Sequence, residues 1–242
     1  MREKDIMQLY KLYKNLRTLY GKPSGQWSIW CKRPKTDRER ERVMMEAILT
    51  QRTNWRNVEQ AIAALEKRRL LSLDAFLNAY RKNPARTALL IKPSGFYQQK
   101  AARLAGLAAF VKKRYGAIAV MKRVFASPNA PASPTNRGES QGGPALTRRG
   151  RPLARMRTEL LSLNGIGPET ADSILLYALD KPIFVIDEYT RRFLQRRSEL
   201  TPRHSKSFYE NLQKFFQNNL KKDYRLYQDF HALIVIDGKV RR

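Results

Sequence analysis

The chain is 242 residues long and carries 48 Lys and Arg against 21 Asp and Glu, a formal net charge of +27. That is enough chain for one domain or two small lobes with a real core, and a field of that sign draws polyanions, nucleic acid first, with an anionic membrane or an acidic protein as other candidates. No apolar run reaches the roughly 18 residues that a bilayer span needs, the charged start Arg2-Glu3-Lys4-Asp5 lacks the apolar core of a secretory signal, and the single cysteine, Cys31, fits a reducing compartment, so cytoplasm or nucleoid is expected.

Residues 4–20 read as a helix, with Ile6, Leu9, Tyr10, Leu12, Tyr13, Leu16 and Tyr20 apolar or aromatic and lysines between them. Gly21 to Gly25 breaks it. Trp27 and Trp30 follow, three apart; indoles either pack a core or stack on a base, a contact worth ~1–3 kcal/mol. The charged stretch 36–42 is expected to be a solvated first turn leading into a helix over 43–49, and a turn at Gln51 precedes Trp55 and the helically spaced Val58, Ile62 and Leu65. Helical patterns continue over 70–80 and 89–91. A turn at 92–96 then precedes a helix that Lys100 opens and that turns Leu104, Leu107, Ala108 and Val111 to one side. Lys100 can meet a phosphate or simply lie on a solvated face. Residues 126–150 are rich in Pro, Ser, Gly, Asn and Arg and nearly free of apolar side chains, so a disordered insertion is expected there. Arg148 and Arg149 within it, and Arg151 and Arg155 just after it, could reach DNA phosphates.

Leu153, Met156, Leu160 and Leu161 predict a helix that ends at Leu163-Asn164. Gly165 and Gly167 flank Ile166, so the backbone can turn tightly and approach a partner closely. Pro168, suited to a first helical position, opens the next helix, whose apolar face is Ala171, Ile174, Leu175 and Ala178. Exposed amides at such a turn, backed by a helix dipole, can hold a phosphate oxygen; an ordinary helical hairpin would have the same spacing. The apolar run Ile183 to Ile186 then delivers Asp187, either a helix N-cap or a functional acid, roles that can coexist. Arg191, Arg192, Arg196 and Arg197 form a basic stripe, and two amphipathic helices follow, through Phe208, Leu212, Phe215 and Phe216 and through Leu226, Phe230, Leu233 and Ile234. His204 and His231 are isolated, which gives a zinc site no basis, and His231 reads as a packed polar residue.

Three motifs, in family order along roughly residues 27–235, resemble the helix-hairpin-helix DNA glycosylases of the endonuclease III type. They are Leu163-Asn164-Gly165-Ile166-Gly167 with Val185-Ile186-Asp187, Ala47-Ile48-Leu49-Thr50-Gln51 with Thr53, and Gly95-Phe96-Tyr97-Gln98-Gln99-Lys100-Ala101. The resemblance implies an all-α, two-lobed fold with a cleft between the lobes. Residues 1–35 plus 187–242 would form a discontinuous terminal lobe, and 36–186 a helical barrel lobe with the hairpin at about 152–179. It further implies Asp187 as the catalytic acid, Trp27, Trp30 and Trp55 around the extruded base, and Gln51 in the gap that base leaves. Asn164, Gly165, Ile166, Gly167, Thr170 and Lys100 would hold the DNA backbone, with a monovalent cation at the carbonyls of Leu163 and Gly165. The expected partner is double-stranded DNA with a damaged base, bound by a monomer.

Where bifunctional members carry a Schiff-base lysine this chain has Glu169, and a carboxylate cannot form an imine, so a monofunctional enzyme using water is expected, without β-lyase activity. One cysteine cannot ligate a four-cysteine cluster, so no iron–sulfur cofactor is expected. Both features resemble the endonuclease-III-like 3-methyladenine DNA glycosylases, which makes an alkylated purine the expected substrate. Leu233, after His231-Ala232, stands where that subgroup has a lysine, so any role of that lysine does not carry over. Uracil, mismatched thymine and oxidised purines remain alternatives, as does a non-catalytic helix-hairpin-helix protein that only binds DNA.

Overall fold

The structure, a computed structural model, describes residues 3–124, 152–197 and 208–241. The expected insertion at 126–150, Arg148, Arg149, Arg151 and His204 lie outside the described residues. In chain order the first helices are α1 (Glu3–Tyr20), the single turn α2 (Trp27–Trp30), α3 (Asp37–Leu49), α4 (Trp55–Lys67), α5 (Leu73–Lys82), α6 (Pro84–Leu90) and α7 (Tyr97–Tyr115). After them come α8 (Ile118–Val124), α9 (Pro152–Leu161), α10 (Pro168–Ser173), α11 (Glu188–Gln195), α12 (Phe208–Asn219) and α13 (Tyr224–Val240). No strand occurs among the described residues, and none of the described helices is long and apolar enough to cross a membrane.

The helix starts are written in the sequence. Thr36 and Glu39 close a capping box at α3, and Asn54, Ser72 and Asn83 each accept a backbone amide at the start of α4, α5 and α6. Such caps contribute about 1 kcal/mol apiece. The charged turn at 36–42 is less solvated than its composition suggests: Arg40 is buried, and Arg42 pairs with the buried Glu46 at 2.8 Å. α10 departs from regular spacing, because it runs into a widened π turn over Ile174–Ala178, every residue of which is buried. Such turns concentrate at functional positions.

The chain divides into two compact units, Lys35–Ala171 and Met1–Pro34 with Asp172–Arg242. In the 35–171 unit, α7 buries Leu104, Leu107, Ala108 and Val111, and α3 is buried from Val43 to Leu49. In the terminal unit, α13 is buried from Tyr227 to Val235, and Phe184 stacks on Phe216 with ring centroids 4.0 Å apart. The expected junction at 186/187 therefore falls instead at 171/172. The reason is that residues 172–186 turn to α12 and α13: Gln217 accepts the Phe184 amide at 3.1 Å, Gln213 donates to the Phe184 carbonyl at 2.7 Å, and the buried Asp172 accepts from Tyr209 and Gln213. Side chains, not a neighbouring strand, satisfy this extended backbone.

Candidate active site

The glycine turn belongs to the 35–171 unit. Gly165 has φ +76°, a left-handed conformation that costs a side-chain-bearing residue roughly 1–2 kcal/mol. A second reason for glycine is steric, since a Cβ there would lie 2.0 Å from Nε of Arg103. The Ile166 amide closes the turn on the Leu163 carbonyl at 3.1 Å, and the Ile166 side chain is buried. Asn164 and Gly167 are exposed, while Thr170 is buried.

Gln51 is braced against this turn. Its Nε2 donates to the Gly165 carbonyl and to Thr170 Oγ1, both at 3.0 Å, and Arg103 donates to its Oε1 at 2.6 Å. Both ends of the amide are thus committed within the unit. This bears on the expected cation site as well. The Gly165 oxygen already faces the Gln51 donor, with a guanidinium alongside, so the residues present do not fit a bound cation.

Lys100 corrects the expected phosphate contact. Its side chain is 1% exposed, and its ammonium donates to the carbonyls of Leu49 at 2.8 Å and Ser94 at 2.6 Å. Burial, with a smaller contribution from Arg103, lowers it to about 8. Lys100 is an internal tie that joins the end of α3, just before Gln51, to the turn before α7. At that turn Phe96 is exposed and adopts φ +46°.

The acid lies in the terminal unit. Asp187 caps α11, its Oδ1 accepting the Thr190 amide at 2.7 Å, and the buried run Ile183–Ile186 fixes it from behind. Its Oδ2 stands 3.5 Å from Nε2 of His231, and the side chain keeps 13% of its surface exposed. Burial works to raise this carboxyl, but His231 and the Thr190 contacts outweigh it and hold Asp187 below its ordinary range. N-cap and ionised acid are one residue.

Aromatic rings surround the partner of that acid. Trp27 and Trp30 are each 6% exposed and meet edge to face at 5.7 Å; Tyr177 lies 5.6 Å from the first and 5.1 Å from the second, and Trp27 sits 6.0 Å from His231. The indoles are therefore packed. Trp55 opens α4 in the 35–171 unit. Glu169 is exposed in the first turn of α10, and Arg155 is exposed and paired with Glu159 at 3.2 Å. Among the described residues no three His, Cys, Asp or Glu gather as a metal site. The sequence reading missed Arg103, Tyr177 and the pairing of His231 with Asp187. For His231 the one available sign was an imidazole within an otherwise apolar stretch of α13.

The 35–171 unit carries the glycine turn, and the terminal unit carries Asp187 with His231, Tyr177 and two tryptophans. The chain belongs to the HhH-GPD superfamily of base excision DNA repair proteins, whose pattern matches residues 45–218, and is a DNA glycosylase of that family. It is 36% identical over 235 residues, 97% of this chain and 89% of the relative, to the Methanocaldococcus jannaschii protein named "Putative DNA repair glycosylase MJ1434". Its fold is similar to that of the Helicobacter pylori 3-methyladenine DNA glycosylase MagIII bound to 1,N6-ethenoadenine, with a TM-score of 0.65 and 22% identity over 97% of this chain and 98% of that one. It is also similar to an endonuclease III trapped covalently on DNA, with a TM-score of 0.64 and 15% identity over 97% of this chain and 86% of the other.

Proposed function

We propose that the protein is a monofunctional glycosylase that hydrolyses the N-glycosidic bond of an alkylated purine such as 3-methyladenine in double-stranded DNA, with Asp187 as the catalytic acid residue in its ionised form. The observation that carries this reading is a carboxylate, only 13% exposed, fixed at the start of α11 with one oxygen on the Thr190 amide at 2.7 Å and the other 3.5 Å from His231 Nε2, contacts that hold it below its ordinary range. A buried acid kept negative is matched to a positive charge. As the glycosidic bond lengthens, that charge develops on the sugar, and a preorganised anion beside it in a dry site lowers the barrier by several kcal/mol, about 3 kcal/mol being a usual loss for one such partner. The carboxylate also orients the water that completes hydrolysis.

An alkylated purine already carries positive charge and leaves without a strong general acid. Trp27 and Trp30, packed against Tyr177 and, for Trp27, His231, would form one wall of the base pocket. The turn at Asn164–Gly167 would grip the backbone through its amides, with Thr170 behind it; Lys100 has no part in that contact. Gln51 would leave its brace on the turn to fill the vacated space, and Trp55 would stack on the extruded base. Glu169, where an imine-forming lysine would be needed for strand cleavage, leaves hydrolysis as the chemistry.

A panel of duplexes, each with a single lesion, tests the substrate. Release of 3-methyladenine or another alkylated purine, with uracil, thymine mismatches and oxidised purines untouched, is expected. Release confined to one of the latter would overturn the substrate class. A borohydride-trapped adduct on an abasic duplex would contradict the monofunctional mechanism.

A further inference from the structure

His231 is 3% exposed, and its two ring nitrogens face different groups. Nδ1 lies 2.7 Å from the Tyr177 hydroxyl, which also reaches the Gln228 carbonyl at 3.2 Å. Among the described residues Nε2 makes no hydrogen bond to any other group, and Oδ2 of Asp187 stands 3.5 Å from it. We propose that His231 is a positioning residue for Asp187, its tautomer set by Tyr177 so that Nε2 always presents a hydrogen to the carboxylate. The inference rests on the reading of Asp187 as the ionised acid of the site.

The hydrogen count supports it. Burial keeps the Tyr177 phenol well above its ordinary range, so the hydroxyl holds its proton and has one to give. When His231 is neutral, Tyr177 donates to Nδ1, and the ring proton must sit on Nε2, toward Asp187. When His231 is protonated, Nδ1 donates to the Tyr177 oxygen and the hydroxyl turns to the Gln228 carbonyl. Both states use contacts already in place, and both leave Nε2–H on the acid. The remaining arrangement, a neutral ring with a bare Nε2, would set lone pairs against a carboxylate and is disfavoured. Other charged or titratable groups act on this cluster from the elements around it: Cys31 and Arg33 from the N-terminal segment, and Asp229 from α13. Arg33 and Asp229 pair with each other at 2.6 Å, which mutes both. Glu188, next to the acid, is engaged by Arg192 at 2.8 Å and Arg191 at 3.7 Å. Among the described residues, His231 and the Thr190 amide then stand against the Asp187 carboxylate, one at each oxygen.

A structural role alone would change stability; this role also changes how Asp187 titrates. The carboxyl 13C shift of Asp187, assigned with Asp187→Asn, would be followed against pH in the folded protein, with folding checked by circular dichroism. In His231→Leu the burial of the acid stays and its counter-interaction goes, so its midpoint should rise by at least one pH unit. His231→Gln, which can place an amide N–H near the same point, should restore a large part of that shift. Tyr177→Phe should give a smaller rise, since the tautomer is then unconstrained. An unmoved midpoint in folded His231→Leu overturns the inference, and so does failure of His231→Gln to differ from His231→Leu. The acidic limb of base release should move with the midpoint. A shifted midpoint in a protein that releases no lesion would instead sink the functional reading and leave this one standing.

Discussion

Gly165→Ala tests the geometry of the glycine turn in a way that separates its two causes. The alanine must adopt φ +76°, at about 1 kcal/mol, and its methyl must displace Arg103, whose Nε, Cδ and Cζ would lie 2.0, 2.5 and 2.7 Å from the new carbon. Arg103 is the end of a flexible side chain and can move, but doing so breaks its 2.6 Å bond to Gln51. A hydrogen bond to a charged group is worth roughly 1.5–3 kcal/mol, less here because Gln51 and Arg103 are half-buried and water replaces part of it. The total loss should be about 2–3 kcal/mol by urea denaturation. In an Arg103→Ala background the steric conflict and the bond are already gone, so the same substitution should cost only about 1 kcal/mol. The double-mutant cycle therefore has a coupling of about 1–2 kcal/mol. Equal costs in the two backgrounds would refute the placement of Arg103 against the turn and, with it, the brace on Gln51.

Lys100→Met should lose about 2–3 kcal/mol of stability, because two buried carbonyls, Leu49 and Ser94, lose their donor. The loss should also depend on pH. With its folded value lowered to about 8 and its unfolded value near 10.5, the folded state sheds the Lys100 proton first, so the wild-type advantage over Lys100→Met should grow between about pH 8 and 10, by at most about 3 kcal/mol; an advantage that shrinks there would contradict the buried tie. Binding to undamaged duplex should weaken steeply with salt. If about six phosphates are neutralised, log K against log salt has a slope near −5, and a flat response would argue against the basic surface as the DNA site.

The fold class was legible because the helices announce themselves twice, by apolar spacing and by capping residues. The glycine turn was legible for a similar reason, since Gly165 has a left-handed φ and Pro168 opens the helix behind it. Asp187 showed itself as a charge at the end of an apolar run. What the sequence hid was pairing at a distance. Nothing about Lys100 on its own helix tells that its ammonium turns inward to Leu49, 51 residues away. Nor does the spacing around Gln51 reveal that it spans 114 residues to Gly165. His231 reads as a packed polar residue, which it is, and nothing in the spacing singles out Tyr177; their facing polar atoms, 2.7 Å apart, emerge only when the widened turn after α10 packs on α13.

The most direct test of the mechanism is single-turnover base release by Asp187→Asn on a lesion the wild type excises, measured beside the affinity of both proteins for the same duplex. Asparagine still accepts the Thr190 amide, so α11 keeps its cap and the fold should hold. Release should fall at least about 100-fold while affinity changes no more than a few-fold; undiminished release at unchanged affinity would remove the acid from the chemistry.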